Sequence, residues 1–301
     1  MSSASVIVTT APAGGDLRQT LQSVLAQTHC AAEITVVGND PHHKAVVHEF
    51  GGDVRWLEVA TNNVAAQRNA AIRRCHGELI ALLDTHALWD PSKLARSIAN
   101  LTHAPQDDIV YTPAIFIDPD GIRHAPPSPE LLPCGWILDE LFEEPWIADA
   151  TAVFRKTVWE RQGGFDEALT VISGQNFFLR AARAHRFAVI PEPLTEVFRP
   201  HATPTPAEHA VLIRETAEML HRFYAEQGGD ERLDSGRARR TLGLLCEEAA
   251  RISWAEHNIP LTLRATIGAL HYRPTWWSRF FLYWVLWRTR KERVGMNLAA
   301  G

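Results

Sequence analysis

Four short β-branched and apolar runs alternate with helical patterns over the first 85 residues of this 301-residue chain. Parallel neighbouring strands need a long crossover connection, so this alternation favours a mostly parallel, doubly wound sheet covered by helices. Leu17, Leu21 and Val24 have the three- and four-residue spacing of a helix in the first crossover. We therefore predict strands at residues 5–10, 33–37, 54–59 and 78–84, and helices at residues 16–27 and 64–75.

The remainder of the chain divides into a mixed region and a helical region. After a helix at 90–101 and a strand at 108–117, residues 118–145 are rich in Pro and aromatic side chains and predict an irregular loop. The pattern is helical throughout after Pro206. We predict two domains, 1–204 and 205–301. The remaining predicted elements are strands at 151–154, 187–190 and 194–198, and helices at 157–162, 176–185, 207–227, 236–257, 261–270 and 276–293.

Composition excludes some functions and gives a default compartment. A net charge of −5 and a pI near 6.3 give no electrostatic footprint for nucleic acid. The four cysteines are far apart and fit no zinc or disulfide spacing, which favours a reducing compartment. The sequence shows neither a signal peptide at its start nor an apolar stretch of about 18 residues. We therefore expect a cytoplasmic protein.

Asp84, Thr85 and His86 follow directly on the apolar strand predicted at residues 78–84. In an open α/β sheet, the carboxyl ends of the strands form the usual ligand crevice. Residues i and i+2 of an extended segment point the same way, so Asp84 and His86 could bind one divalent cation. The alternative interpretation is a strand followed by an ordinary polar turn.

Taken in order, these elements resemble a family 2 glycosyltransferase with the nucleotide-sugar-binding GT-A fold: an α/β, Rossmann-like domain with a mostly parallel central sheet, here followed by a C-terminal helical extension. The resemblance covers roughly residues 5–201. It rests on four stretches in the family's order, and each alone is a weak signal. The stretches are VIVTTAPAGGDLRQTLQSVLAQTHCAAEITVVGND, NNVAAQRNAAIRRCHGELIALLDTHALWDPSKL, GGFDEAL and FFLRAARAHRFAVIPEPLTEVFRPH.

The resemblance implies a nucleotide site at the ends of the first two strands. The family usually has two acids in the turn after the second strand, where this chain has Gly38 and Asn39. Asn39 and Asp40 are equally well explained as ordinary turn residues. The implied contacts of the nucleotide are Thr9, Thr10, Ala11, Asn39 or Asp40, and the helix arginine Arg68.

The resemblance also implies a divalent metal, Mn2+ or Mg2+. The family motif is Asp-x-Asp, and His86 here stands at the second acid. An imidazole favours manganese or softer ions over magnesium. Asp-x-His also occurs in the polypeptide N-acetylgalactosaminyltransferases, which share the GT-A fold. His201 falls where many family members place a histidine near the metal or diphosphate, so Asp84, His86 and His201 are the expected ligands.

The catalytic base is the sharpest departure from the family. Inverting members place a carboxylate just before the helix predicted at 176–185, where this chain has Gly174. A first explanation moves the base, with Asp149, Asp166 or Glu167 as candidates. A second gives the acceptor proton to a leaving-group phosphate oxygen. A third is loss of catalysis, which would leave a GT-A scaffold that binds a nucleotide, a sugar or a partner.

Aromatic residues crowd the predicted helix at 276–293, and a basic segment follows them. An aromatic helix with a basic end can lie in a membrane interface and bring the protein to a lipid-linked acceptor. Apolar residues nearly all round the helix instead suit packing against the GT-A body or a second subunit.

We predict transfer of a sugar from a nucleotide diphosphate sugar, with a UDP-sugar first, to a glycan, lipid-linked or small-molecule acceptor. The alternative is an inactive GT-A scaffold. A nucleotidyltransferase is disfavoured because residues 11–15 contain no Lys or Arg to hold a triphosphate.

Overall fold

Two compact units, Met1–Pro204 and Thr205–Gly301, make up the chain. All strands formed by the described residues belong to the first unit, whereas the second unit is helical there. The computed structural model describes residues 3–10, 15–199, 205–229, 231–275, 278–279, 281–282 and 285.

Two β-sheets and their helices build the first unit. The strands are β1 (Ala4–Thr9), β2 (Glu33–Gly38), β3 (Arg55–Glu58), β4 (Leu79–Asp84), β5 (Ala87–Trp89), β6 (Ile109–Tyr111), β7 (Ala114–Ile117), β8 (Arg123–His124), β9 (Val153–Arg155), β10 (Phe187–Val189) and β11 (Thr195–Phe198). The helices are α1 (Leu17–Leu25), α2 (Pro41–Glu49), α3 (Val64–Ile72), α4 (Lys93–His103), α5 (Leu138–Glu143), α6 (Lys156–Gln162) and α7 (Ser173–Ala182).

The larger sheet has seven strands in the order β10-β6-β9-β4-β1-β2-β3. Its neighbours are parallel except β9, which is antiparallel to both β4 and β6. The smaller sheet has the order β5-β11-β7-β8. The predicted mostly parallel central sheet is confirmed.

Both faces of the central sheet are covered, which explains the nearly continuous apolar runs in the sequence. Every residue of β1 is buried, although successive side chains point to opposite faces. Val6 and Val8 lie in a core cluster that includes Leu21 of α1 and Leu94 of α4. Ile7, which points the other way, is also buried.

The carboxyl edge of the sheet gathers residues from distant parts of the chain. Thr9, at the end of β1, is paired with Asp84, at the end of β4. Because β9 runs antiparallel to β4, the segment before β9 reaches the same edge, and Asp149 begins the short 3-10 turn there. This topology brings the ends of β1 and β4 together with residue 149.

Several element predictions for the first unit were wrong. The strand predicted at 108–117 is two strands in different sheets, β6 and β7, separated by Thr112 and Pro113. Helix α5 forms within the loop predicted at 118–145, and α2 forms at residues for which no helix was predicted. The helix predicted at 176–185 begins earlier, at Ser173, so Gly174 lies in its first turn.

The second unit contains the helices α8 (Pro206–Glu226), α9 (Ser235–Ala255) and α10 (Ile259–Tyr272). Thr205 and Glu208 form a reciprocal capping box at the start of α8, which fixes where this helix begins. Within the described residues, no helix is long and apolar enough to cross a membrane. Most of the aromatic helix predicted at 276–293 lies outside the described residues.

Candidate active site

The Asp84–His86 turn joins β4 to β5 at the carboxyl edge. The backbone amide of His86 donates to Asp84 Oδ1 at 2.9 Å, which fixes the carboxylate over the turn. Burial raises the pKa of Asp84, while the His86 amide and the charge of Arg68 oppose that shift. A cation bound here would therefore relieve the cost of keeping the carboxylate charged.

Asp84 and His86 offer one carboxylate and one imidazole, a donor set that suits a divalent transition metal. The structure describes no group of three or more His, Cys, Asp or Glu side chains that could hold a metal ion. The third predicted ligand, His201, lies outside the described residues. A bound diphosphate would have to supply further oxygen ligands.

Gly15 brings the chain after β1 against this turn. It has a φ of +94°, and a β-carbon there would overlap the Thr85 carbonyl. The backbone amide of the next residue, Asp16, donates a hydrogen bond to the Thr85 carbonyl oxygen at 3.0 Å. Only glycine therefore allows this approach, a role that the sequence indicated only through the Gly14-Gly15 pair.

The nucleobase candidates lie at the ends of β1 and β2. Thr10 Oγ1 donates to Val37 O at 3.3 Å, and a side chain at Gly38 would overlap that hydroxyl. The departure from the family at Gly38 thus has a packing reason. Asp40 caps α2 by accepting the His42 amide at 2.8 Å, whereas Asn39 is exposed. Ala11 lies outside the described residues, and Thr9 is buried.

Arg68 is buried and forms an ion pair with Asp149. Its side chain is 4% exposed, and its NH1 donates to Asp149 Oδ2. The guanidinium carbon lies 5.5 Å from the centre of the Phe165 ring. Both Arg68 and Asp149 act electrostatically on Asp84. The two acids and the arginine therefore form one charged cluster.

Gly174 makes room for the Asp149 carboxylate. A β-carbon at residue 174 would overlap both carboxylate oxygens of Asp149. The carboxylate of Asp149, from the turn before β9, thus occupies the space where a side chain at 174 would begin. The side chain of Asp149 is 25% exposed, so solvent or a substrate can reach it.

Asp166 and Glu167 have structural partners in the turn between α6 and α7. Asp166 Oδ1 accepts the Ala168 amide at 3.0 Å. Glu167 Oε1 accepts from Asn69 Nδ2 at 2.8 Å and lies 3.8 Å from Arg73 NH2. These contacts stabilise the turn.

Trp89 links the Asp84–His86 turn to the segment that carries Asp149. Its indole N–H donates to Ala150 O at 2.8 Å, and the ring is buried. Lys93 Nζ lies 4.7 Å from the centre of that ring. Sequence reasoning missed both residues, because neither carries a motif for this contact.

The fold is that of solved glycosyltransferases. S. aureus TarS 1–349 in complex with UDP matches with a TM-score of 0.58 and 15% identity, over 91% of this chain and 92% of that chain. TarS 1–349 in complex with UDP-GlcNAc matches with a TM-score of 0.59 and 16% identity, over 90% of this chain and 89% of that chain. The mannosyltransferase PcManGT from Pyrobaculum calidifontis, in complex with GDP-Man and Mn2+, matches with a TM-score of 0.56 and 19% identity, over 95% of this chain and 84% of that chain. The predicted GT-A fold is confirmed.

A family match then fixes the class of the protein. Glycosyl transferase family 2 matches residues 5–155, just over half of the chain. The chain therefore belongs to glycosyl transferase family 2 and is a transferase, as the resemblance predicted. The match includes Arg68, Asp84 and Asp149 and ends before Gly174. No curated protein sequence matches the chain.

Proposed function

We propose that this protein transfers a sugar from a nucleotide diphosphate sugar, with a UDP-sugar as the first candidate, to an acceptor hydroxyl. The observation that carries the proposal is the Asp149 carboxylate lying against Gly174, beside Arg68 and at the same sheet edge as Asp84. Family membership supports the reaction class. The complexes of TarS with UDP and UDP-GlcNAc support the choice of UDP.

Asp149 is the proposed general base. It would accept the proton of the acceptor hydroxyl while that oxygen attacks the anomeric carbon and the bond from that carbon to the diphosphate oxygen breaks. Its place over Gly174 supports this role, since the family carboxylate is expected at 174. Asp166 and Glu167 are weaker candidates because the turn contacts already engage them. A single displacement of this kind inverts the anomeric configuration.

Arg68, Asp84 and His86 are proposed to hold the diphosphate end of the donor. The Arg68 guanidinium provides a fixed positive charge in a buried setting, where it interacts strongly with an anion. Asp84 and His86 would bind Mn2+ or Mg2+, with His201 as a further expected ligand. When bound, such an ion neutralises charge on the leaving diphosphate. The Mn2+ in the PcManGT complex supports the proposal of a divalent metal.

The nucleobase is proposed to lie at the ends of β1 and β2, near Thr10 and Asn39. The exposed side chain of Asn39 is free of the capping role that Asp40 has in α2. Domain 1–204 is thus proposed as the nucleotide-sugar-binding domain, followed in the chain by the helical extension 205–301.

Nucleotide-dependent thermal stabilisation tests the proposal. We expect UDP with Mn2+ to raise the melting temperature, because a ligand at about 100 times its Kd adds about 2.7 kcal/mol of stability. Asp84→Asn should reduce that shift, whereas the exposed control Asp53→Asn should not. The proposal fails if none of UDP, GDP or dTDP shifts the melting temperature with either metal. Nucleotide binding without turnover of any donor would favour the scaffold alternative.

A further inference from the structure

A cavity of about 430 Å3 opens between the three helices of the second unit. Small side chains leave this space: Ala217 on α8, Ala249 and Ser253 on α9, and Ala265 and Gly268 on α10. We call this cavity, defined by those five residues, the helical trough. Its position among three helices gives it apolar walls that suit a hydrocarbon group.

The two ends of the trough differ in chemistry. At one end His221 Nδ1 and the Tyr272 hydroxyl form a hydrogen bond that joins α8 to α10. At the other end lie Arg214, which pairs with Glu256 at 2.6 Å, and Arg264. Seven residues of α8 separate positions 214 and 221, so the trough is about 10 Å long.

The Arg214 end of the trough carries two guanidinium groups, and that of Arg214 is paired with Glu256. Among the described residues, Arg264 makes no hydrogen bond or ion pair, and it lines the trough together with Arg214. Glu218 is the one acid among the described lining residues. An anionic group at this end would therefore find an unpaired guanidinium.

The described residues after α10 pack elsewhere on α9. Phe281 contacts Trp254, with ring centroids 6.1 Å apart, and Thr275 Oγ1 lies 3.2 Å from Glu247 Oε1. Residues 247 and 254 are on a different face of α9 from Ala249 and Ser253. The described part of the following segment thus leaves the trough open.

We propose that the trough binds a single-chain amphiphilic anion, with its alkyl chain along Ala217, Ala249 and Ala265 and its phosphate or carboxylate group at Arg264. Because the His221–Tyr272 pair lies at one end of the trough and the two arginines lie at the other, the direction of the chain is fixed. Arg264 then selects an anionic head group over a neutral one, since a guanidinium binds phosphate and carboxylate oxygens through paired N–H donors. This proposal does not depend on the proposed transferase function.

Calorimetric titration of the full chain with decyl phosphate, decanol and inorganic phosphate tests the proposal. We expect decyl phosphate to bind with one molecule per chain, and each methylene from octyl to decyl to tighten binding about fourfold. Arg264→Gln should weaken decyl phosphate about tenfold and leave decanol unchanged. The exposed control Arg240→Gln should change neither.

A filled trough supplies the second arm of the test. Ala265→Leu should weaken decyl phosphate and decanol alike, whereas the exposed control Ala225→Leu on α8 should not. If Ala265→Leu does not fold, Ala217→Leu serves the same purpose. The proposal would be overturned if decanol or inorganic phosphate bound as tightly as decyl phosphate. It would also be overturned if filling the trough had no effect on binding. Binding to anionic vesicles without binding of monomeric decyl phosphate would also overturn it.

Discussion

Asp149 and Gly174 act as a pair although 25 positions separate them in the sequence. The sequence identified Gly174 as a position without a base and Asp149 as one of three candidate acids. It could not reveal that the missing side chain makes room for the acid, because that relation depends on how β9 and α7 pack. Under the proposed function, Asp149 would supply the carboxylate that position 174 lacks.

Lys93 is a buried amine with no described hydrogen-bond partner. Burial lowers its pKa from 10.5 to about 7, so the folded protein binds fewer protons than the unfolded chain between these values. Stability should therefore rise with pH across this window, by about 1.4 kcal/mol per pH unit at most. We predict that Lys93→Met stabilises the protein by about 2 kcal/mol or more at pH 7, measured by urea denaturation.

The pH dependence separates this effect from general repacking. The gain from Lys93→Met should shrink as the pH is raised from 7 towards 10, because the wild-type amine is already neutral there. Lys44→Met in α2 removes an amine whose side chain is 44% exposed and which pairs with Glu58, so it should change stability by about 1 kcal/mol or less. A destabilised Lys93→Met variant, or a gain independent of pH, would contradict the burial argument.

At the scale of elements, hydrophobic periodicity predicted the alternating strands and helices in the first part of the first unit. It failed where tertiary contacts determine the secondary structure. The run 108–117 is mostly apolar, but Pro113 lacks a backbone N–H, and the chain changes sheets there. Helix α2 was missed because three of its nine residues are histidines and its start resembles a turn. Asp40 provides the N-cap that makes it a helix.

Asn69 joins α3 to α6 and to the turn before α7 through four hydrogen bonds, one to α6 and three to the turn. Its Oδ1 accepts from Trp159 Nε1 at 3.0 Å and from the Phe165 amide at 2.9 Å, while its Nδ2 donates to Phe165 O and Glu167 Oε1. Asn69→Ala should cost on the order of 2–4 kcal/mol of unfolding free energy, because buried partners lose their bonds. Denaturant unfolding measures this loss, with the exposed Asn62→Ala as the control. Equal losses of unfolding free energy in the two variants would contradict this role.

At the scale of the whole molecule, the sequence after Pro206 predicted helices, but the spaces between those helices were not predictable. The helical trough depends on which small residues of three helices face each other. The same holds for the candidate active site: the strand ends followed from the pattern, whereas the Arg68–Asp149 ion pair required the antiparallel β9.

Hydrogen exchange resolves the two proposed ligand sites within one molecule. We predict that UDP with Mn2+ slows exchange around β1, β4 and the turn at Asp149, and that decyl phosphate slows it in α8 and α10. The two patterns should be separate, because each ligand stabilises the unit that binds it. Protection by UDP in α8 and α10 alone would contradict the assignment of the donor site to the first unit.

Donor turnover by the wild type and Asp149→Asn tests the central claim most directly. With a panel of UDP-, GDP- and dTDP-sugars, released nucleoside diphosphate should be detected for the wild type. It should fall at least about 100-fold for Asp149→Asn, while UDP still raises the melting temperature of the variant. The double variant that combines Asp149→Gly with Gly174→Asp should recover part of the turnover, whereas neither single variant should. Wild-type turnover by Asp149→Asn would contradict the account.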